Sequence, residues 1–153
     1  MTHHALNHEG YEITDDRKRL DPAVIHGYLG DQSYWAKGIS RELVELSLAN
    51  SLCIGVYEPD GCQVGLARIV TDSATFAWLC DVFIIPEHRG RGLGKALMRA
   101  VVSHPQLQQV RRIALGTLDA HVLYAQFGFT PLAEPQRHME RRRPTPAAAL
   151  HTS

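Results

Sequence analysis

The sequence predicts a mixed α/β domain in which helices flank a central, twisted and mostly antiparallel sheet. Three apolar segments of strand length lie between residues 51 and 85, with turn residues between them. Beyond residue 85 the pattern indicates a strand–helix–strand unit. The 153 residues suffice for one domain with its own core. We therefore expect a single domain over residues 11–140, a mobile start over residues 1–10 and a disordered tail over residues 141–153.

The first expected elements are a short strand and two helices. YEITDD, from residue 11, predicts the strand. Asp21 before Pro22 is a helix-start signal, and Gly30 is a plausible end for that helix. Apolar spacing predicts a second helix from about Ser40 to Asn50. The aromatic segment DQSYWAKGI forms the loop between the two helices.

Three strands are expected next. They are SLCIGVYE from residue 51, QVGLARIV from residue 63 and TFAWLCDVFII from residue 75. PDGC separates the first two and carries the Asp-Gly signal of a hairpin. TDSA separates the second from the third. This part of the sheet should therefore be antiparallel.

The second half alternates helices and strands. Leu93, Leu97 and Val101 recur at helical spacing, and Pro105 marks the end of that helix. RRIALGT predicts a strand, LDAHVLYAQF a helix and GFTPLAE a further strand. A last strand is expected around RHMER, before the tail.

Charge and cysteine content limit the classes of function. Lys and Arg number 16, as do Asp and Glu, so no overall basic field indicates a nucleic-acid partner. The run RRR at 141–143 is too short to change this. The odd number of cysteines, without a C-x-x-C pair, favours reduced thiols and a cytoplasmic location. No apolar run has membrane-spanning length, so we expect no membrane partner.

The segment IIPEHRGRGLGKAL, residues 84–97, leaves an apolar strand through glycines and basic residues. The first amides of a helix have no intrahelical acceptor and attract anions. Glycine allows the backbone to approach a phosphate closely. Positive charge comes from Arg89, Arg91 and Lys95. A phosphate ligand explains these features together, and a flexible surface loop with solvated arginines is the alternative.

Two common phosphate motifs do not fit this segment. A Walker loop needs Ser or Thr after Gly-Lys, whereas Ala96 follows here. A dinucleotide-binding turn needs G-x-G-x-x-G, whereas the glycines here follow G-x-G-x-G. The pattern that fits is R-x-x-G-x-G, formed by Arg89, Gly92 and Gly94 between an apolar strand and an amphipathic helix.

This pattern resembles the acyl-CoA-binding motif of the GCN5-related N-acetyltransferase (GNAT) superfamily. LYAQFGF, about thirty residues further on, is similar to the family's second signature, an aromatic helix that ends in Gly-Phe. The likeness covers roughly residues 50–140. It implies the acyl-CoA N-acyltransferase type of fold, with acetyl-CoA or coenzyme A as co-substrate and no metal.

The resemblance also implies a place for each part of coenzyme A. The pyrophosphate would bind the amides of Arg89, Gly90, Arg91, Gly92, Leu93, Gly94 and Lys95. The pantetheine arm would pair, like an added strand, with the backbone of Val82, Phe83 and Ile84. Many family members also hold this arm with an Asn, and here Thr117 occupies that position.

Two residues are candidates for the chemistry. Tyr124 matches the family tyrosine that protonates the departing thiolate, and the alternative is an amphipathic core residue. Asp81 interrupts an apolar strand, so it should face a cleft or have partners. It is either the general base, acting through water, or an ion-pair partner of Arg68. Cys80, its neighbour in the strand, is expected on the other sheet face.

The acceptor should be bound by the loops around this site. Tyr34 and Trp35 could line a pocket for a cation or an aromatic group, or Trp35 could anchor its loop in the core. Arg68 could meet a carboxylate of the acceptor instead of pairing with an acid. Asp119 either faces the acceptor or caps a helix.

The function that follows from the resemblance is N-acetylation of a primary amine by direct attack in a ternary complex. The acceptor is a small molecule, an amino acid or a protein amine, and loops rather than the fold determine which. The alternative is a non-catalytic acyl-CoA-binding regulatory module. The sequence is compatible with a homodimer and does not determine the oligomeric state.

Overall fold

The computed structural model describes residues 3–144, in which six strands form one sheet in chain order. The strands are β1 Ala5–His8, β2 Tyr11–Thr14, β3 Leu52–Tyr57, β4 Gln63–Thr71, β5 Phe76–Ile84 and β6 Arg112–Leu115. Neighbouring strands from β1 to β5 are antiparallel, and β5 and β6 are parallel. The predicted mixed α/β class with a mostly antiparallel sheet is confirmed.

Four α-helices flank the sheet, and their starts follow from local chemistry. They are α1 Pro22–Asp31, α2 Arg41–Ala49, α3 Leu93–Val102 and α4 His121–Ala125. The Asp21 carboxylate accepts hydrogen bonds from the first amides of α1, and the Ser40 hydroxyl accepts one from the amide of Leu43 in α2. Among residues 3–144 no helix is both long and apolar enough to cross a membrane.

Apolar side chains attach the helices to the two faces of the sheet. On one face α3 buries Leu97, Met98 and Val101 in the cluster that contains the β3 and β4 core residues. On the other face α1 and α2 pack against Leu66 of β4 and Phe83 of β5. Burying these faces from water provides the main stabilisation of the fold.

The start of the chain differs from expectation. Residues 1–10 were expected to be mobile, but Ala5–His8 forms β1, in which Leu6 lies opposite Ile13 of β2. Leu6 also packs against the cluster under α3, so apolar contact supports this strand.

The end of the domain also differs. The strands expected in GFTPLAE and around RHMER are absent from the described part of the chain, where this region holds only the short 3₁₀ turn Pro135–Arg137. The side chains from residue 130 to residue 144 are exposed. A strand here would therefore bury no apolar face, and pairing with the sheet would gain no stabilisation from burial. Residues 141–144 of the expected tail have no regular structure, and residues 145–153 lie outside the described residues.

Strand β5 is irregular in two ways near its end: it loses its β6 partner, and it contains a bulge. Pairing between β5 and β6 ends at Leu79 opposite Leu115, although β5 continues to Ile84. Its edge beyond Leu79 is therefore free of a strand partner on that side within the described residues. In addition, Ala67 of β4 faces two residues of β5, Asp81 and Val82, and Asp81 has a φ of +49°. This is a β-bulge, which re-aims the side chains beside the opening.

Candidate active site

A cavity of about 420 Å³ lies between the free edge of β5, the loop before α3 and the helix α4. We call it the loop cavity. Its walls include Val82, Phe83, Ile84, Gly92, Gly94 and Tyr124. The predicted glycine loop, the predicted strand edge and the predicted tyrosine therefore surround one space.

The loop presents backbone amides to this cavity. Gly92 is the N-cap of α3 with a φ of +77°, in the left-handed region that favours glycine. The first amide that bonds back within the helix is that of Ala96, to the carbonyl of Gly92 at 3.1 Å. The amides of Leu93, Gly94 and Lys95 consequently have no intrahelical acceptor and can bind an anion.

A residue of β1 supports the same loop. The His8 Nε2 lies 2.7 Å from the carbonyl oxygen of Arg91, and a Cβ added at Gly92 would lie 3.2 Å from that nitrogen. The N–H therefore donates to the loop backbone, while the imidazole closes the space beside Gly92. Sequence reasoning missed His8 because it placed the first ten residues outside the fold.

The basic residues of the loop have different environments. The Arg89 side chain lines the loop cavity, where its Nε donates to the carbonyl of Ile84 and its Nη2 to the hydroxyl of Tyr28, both at 2.9 Å. Arg89 thereby joins the end of β5 to α1. Arg91 and Lys95 are exposed and do not line the cavity, so their charges act from outside it.

A second cavity, of about 460 Å³, adjoins the first and is bordered by aromatic rings. We call it the aromatic cavity. Tyr34, Trp35 and Tyr124 line both cavities, and Trp78 lines the second. Sequence reasoning missed Trp78, although its alternation with buried Ala77 and Leu79 indicated a separate sheet face.

Tyr124 stands where the two cavities meet. Its side chain is 9% exposed, and within residues 3–144 its hydroxyl has no hydrogen-bond partner. Burial raises the pKa of this phenol, and the nearby Tyr34 and Asp119 raise it further. The hydroxyl is therefore protonated at neutral pH and available to donate a proton.

Asp81 has two strong partners. One carboxylate oxygen accepts from Nε1 of Trp35 and the other from Nε of Arg68, each at 2.7 Å. Arg68 also donates from Nη1 to the hydroxyl of Ser51 at 2.9 Å. Burial lowers the pKa of Arg68, but the attraction of Asp81 more than offsets this and the pKa is raised. Arg68 lines neither cavity, so of its two expected roles the structure displays the ion pair.

The expectation that Cys80 points away from Asp81 is wrong. Both residues line the aromatic cavity, because the bulge at Asp81 breaks the alternation of a regular strand. Burial raises the pKa of the Cys80 thiol to about 11, so the thiol is protonated at neutral pH and is a poor nucleophile.

The segment between β6 and α4 completes the aromatic cavity. The Thr117 hydroxyl accepts a hydrogen bond from the amide of Ala120 at 3.0 Å, and Thr117 lines the aromatic cavity but not the loop cavity. The Tyr34 hydroxyl accepts from the amide of Leu118 at 2.9 Å. The loop between α1 and α2 thus contacts this segment across the opening. Asp119 lines both cavities with an exposed side chain.

Comparisons with known proteins agree with this geometry. The family model of the GNAT acetyltransferase domain matches residues 49–131. A provisionally named acetyltransferase of Gibberella zeae is 32% identical over 136 residues, which represent 74% of this chain and 75% of that protein.

Solved structures extend the likeness to nearly the whole chain. A protein of Xanthomonas campestris pv. campestris, described as belonging to the GNAT family, is 49% identical with a TM-score of 0.86. The match covers 90% of this chain and 96% of that one. A provisionally named acetyltransferase of Deinococcus radiodurans shares the fold, with a TM-score of 0.70 at 20% identity over 88% of this chain and 90% of that one. Taken with the glycine loop and the tyrosine beside it, these matches establish that the chain belongs to the GNAT family of acetyltransferases.

Proposed function

We propose that the protein transfers an acetyl group from acetyl-CoA to a primary amine within a ternary complex. The observation that carries this proposal is the position of Tyr124 at the junction of two cavities. One cavity adjoins the free amides of α3, and the other is open to an acceptor. A proton donor between them is where a leaving group and an attacking amine would meet.

The loop cavity fits coenzyme A in two respects. Gly92 and Gly94 leave the first amides of α3 open to a pyrophosphate, and a side chain at position 92 would meet His8. Beyond Leu79 the edge of β5 has no strand partner among the described residues and offers the backbone of Val82 and the amide of Ile84 to a pantetheine arm, whereas the Ile84 carbonyl already accepts from Arg89.

Acetyl-CoA would supply the activated acyl group, and this chain would supply the proton for the thiolate that leaves. In this proposal the amine nitrogen bonds to the acetyl carbon, the C–S bond breaks and Tyr124 donates a proton from its hydroxyl to the sulfur. The proton that the nitrogen loses passes to solvent, and solvent reprotonates Tyr124. Its raised pKa suits the role, because the phenol stays protonated until the leaving thiolate forms.

Asp81 is better suited to positioning than to proton abstraction. Each of its oxygens already accepts a short hydrogen bond, and one of the donors is a guanidinium. Both oxygens are thus engaged with side chains that hold the loop and the sheet together. We therefore propose that Asp81 anchors Trp35 and the loop between α1 and α2.

The test is a thiol-release assay with acetyl-CoA and a panel of primary amines. The panel contains arylalkyl amines, alkyl amines, amino acids and a lysine peptide. We expect amine-dependent release of free thiol and a rise in melting temperature with coenzyme A, because a ligand of the folded state stabilises it. Stabilisation by coenzyme A without thiol release from any amine would instead support the acyl-CoA-binding module.

A further inference from the structure

The aromatic cavity carries exposed rings that the fold itself does not require. The exposed fractions of Tyr34, Trp35 and Trp78 are 53%, 38% and 42%. Trp78 alternates along β5 with Ala77 and Leu79, which lie in the cluster on the α3 side, so its side chain lies on the opposite sheet face, and its ring lies beside Gly116. Neighbouring exposed aromatic side chains of this kind mark binding surfaces.

Hydrogen bonds fix the orientations of the Trp35 and Tyr34 rings. The indole of Trp35 is hydrogen bonded to Asp81, and the hydroxyl of Tyr34 accepts from the Leu118 amide. The ring of Tyr34 also stands edge-on to that of Trp35, with 5.0 Å between their centroids. A ligand can therefore contact these rings with little additional loss of side-chain entropy.

The charges around the aromatic cavity leave one free carboxylate. Asp81 is neutralised by Arg68. Arg142, at the rim, pairs with Glu140 at 3.3 Å. Asp119 forms no ion pair with any other residue in the range 3–144, and its charge acts on Tyr124. The cavity wall is therefore net negative beside the proposed proton donor.

This charge pattern discriminates between acceptors. An ammonium group gains attraction from Asp119 and from the faces of the rings. A carboxylate on the acceptor meets Asp119 as a like charge, and the one cation that lines the cavity among the described residues, Arg142, lies at the exposed rim beside Glu140. An acceptor with only an aliphatic chain cannot make aromatic ring–ring contacts with the exposed rings of the cavity.

We propose that the acceptor is a primary monoamine that carries an aromatic ring and no carboxylate, with Asp119 attracting its ammonium group and Trp35 and Trp78 contacting its ring. This inference rests on the proposed acetyltransferase function and assigns Trp78 and Asp119 to acceptor specificity.

Matched amines test the proposal in the wild-type protein. We compare kcat/KM for 2-phenylethylamine, butylamine, phenylalanine and phenylalanine amide. The amide keeps the ring of phenylalanine but lacks its carboxylate, and because its amine is less basic, kcat/KM for all four compounds is expressed per concentration of neutral amine. We expect 2-phenylethylamine to exceed butylamine about tenfold, and the amide to exceed phenylalanine about tenfold, as one well-placed apolar contact or charge allows. A phenylalanine rate equal to that of its amide, or equal rates for the first two amines, overturns the proposal.

Two variants assign the effects to residues. Asp119→Asn should raise the KM for 2-phenylethylamine at least fivefold and narrow the gap between phenylalanine and its amide. Trp78→Ala should reduce kcat/KM for 2-phenylethylamine much more than for butylamine. Leu46→Ala, at a 61% exposed position of α2, is the control and should change neither. An unchanged KM in Asp119→Asn, or equal losses for both amines in Trp78→Ala, contradicts the assignment.

The results also separate this inference from the function on which it rests. If amino acids or alkyl amines are acetylated as well as the aryl amine, the acetyltransferase function stands and the inference is wrong. If coenzyme A raises the melting temperature but no amine releases thiol, both are wrong. Melting curves of the variants verify that each is folded.

Discussion

The indole nitrogen of Trp35 donates to a carboxylate oxygen of Asp81 at 2.7 Å, across 46 positions of sequence. This bond joins the loop between α1 and α2 to the bulge of β5. Through Tyr34 the same loop also contacts the amide of Leu118. The loop therefore bridges the two walls of the cleft, and its position depends on a carboxylate that is also hydrogen bonded to Arg68.

Asp81→Asn is expected to loosen this loop without removing a base. The carboxamide cannot accept from both donors, because its nitrogen would face Arg68 or Trp35 as a second donor. The KM for the acceptor should rise severalfold, while the acidic limb of the pH profile of kcat/KM keeps its position. Steady-state kinetics between pH 5 and 9 measure both. Ser51→Ala, which removes another partner of Arg68, is the control. Loss of the acidic limb in Asp81→Asn would identify Asp81 as the base.

Tyr124→Phe should reduce turnover by roughly 10²–10⁴-fold, the contribution of a positioned acid. The ring and its edge contact with Phe129 remain, so stability and the thermal shift with coenzyme A should change little. Tyr57→Phe makes the same chemical change at a buried hydroxyl that has no hydrogen-bond partner within residues 3–144, and should leave turnover unaltered and stability equal or higher. Wild-type turnover in Tyr124→Phe would exclude the proposed acid.

The pH dependence of turnover should also report Tyr124. An ordinary tyrosine has a pKa of about 10, and burial raises that of Tyr124. Because the acid form persists below the raised pKa, kcat should not decline between pH 8 and about 10 through loss of this proton. A decline with a midpoint near pH 8, absent from Tyr124→Phe, would contradict this environment.

Gly92→Ala should weaken binding of coenzyme A and destabilise the fold. The φ of +77° costs a residue with a Cβ about 1–2 kcal/mol, and that Cβ would approach His8 to 3.2 Å. Thermal unfolding with and without coenzyme A measures both effects. Gly27→Ala is the matched control, since a Cβ there meets no atom of the described residues within 4 Å and the helix interior favours Ala by about 0.5–1 kcal/mol. A coenzyme A shift in Gly92→Ala equal to that of wild type would exclude this loop from the site.

His8→Ala should act on the cofactor through the loop. The variant loses the hydrogen bond to the Arg91 carbonyl, so the loop amides are less ordered before binding. The KM for acetyl-CoA should rise severalfold with little change in kcat. His138→Ala, in the exposed segment after α4, is the control. A fall in kcat at unchanged KM would argue against a role in holding the loop.

Local sequence signals sufficed for much of the fold. The caps at Asp21 and Ser40 and the hairpin at Asp60-Gly61 act between residues that are close in the chain, so their outcome does not depend on the rest of the protein. The predictions of strands in GFTPLAE and RHMER were wrong because strand formation depends on distant parts of the chain. A strand needs a partner and a buried face, and neither can be read from a short apolar segment.

The same division applies to the site. The sequence by itself determined the glycine loop and the tyrosine near it, because the conformational freedom of Gly92 and the motif around Tyr124 are local properties. Only the tertiary structure decided the partners of Asp81, the side of the strand on which Cys80 lies, and the position of Trp78 beside the acceptor cavity. These features depend on the bulge at Asp81 in β5 and on the end of β6 at Leu115, where β5 continues without it. Both arise from pairing between segments distant in sequence, where the balance of many weak contacts sets the register.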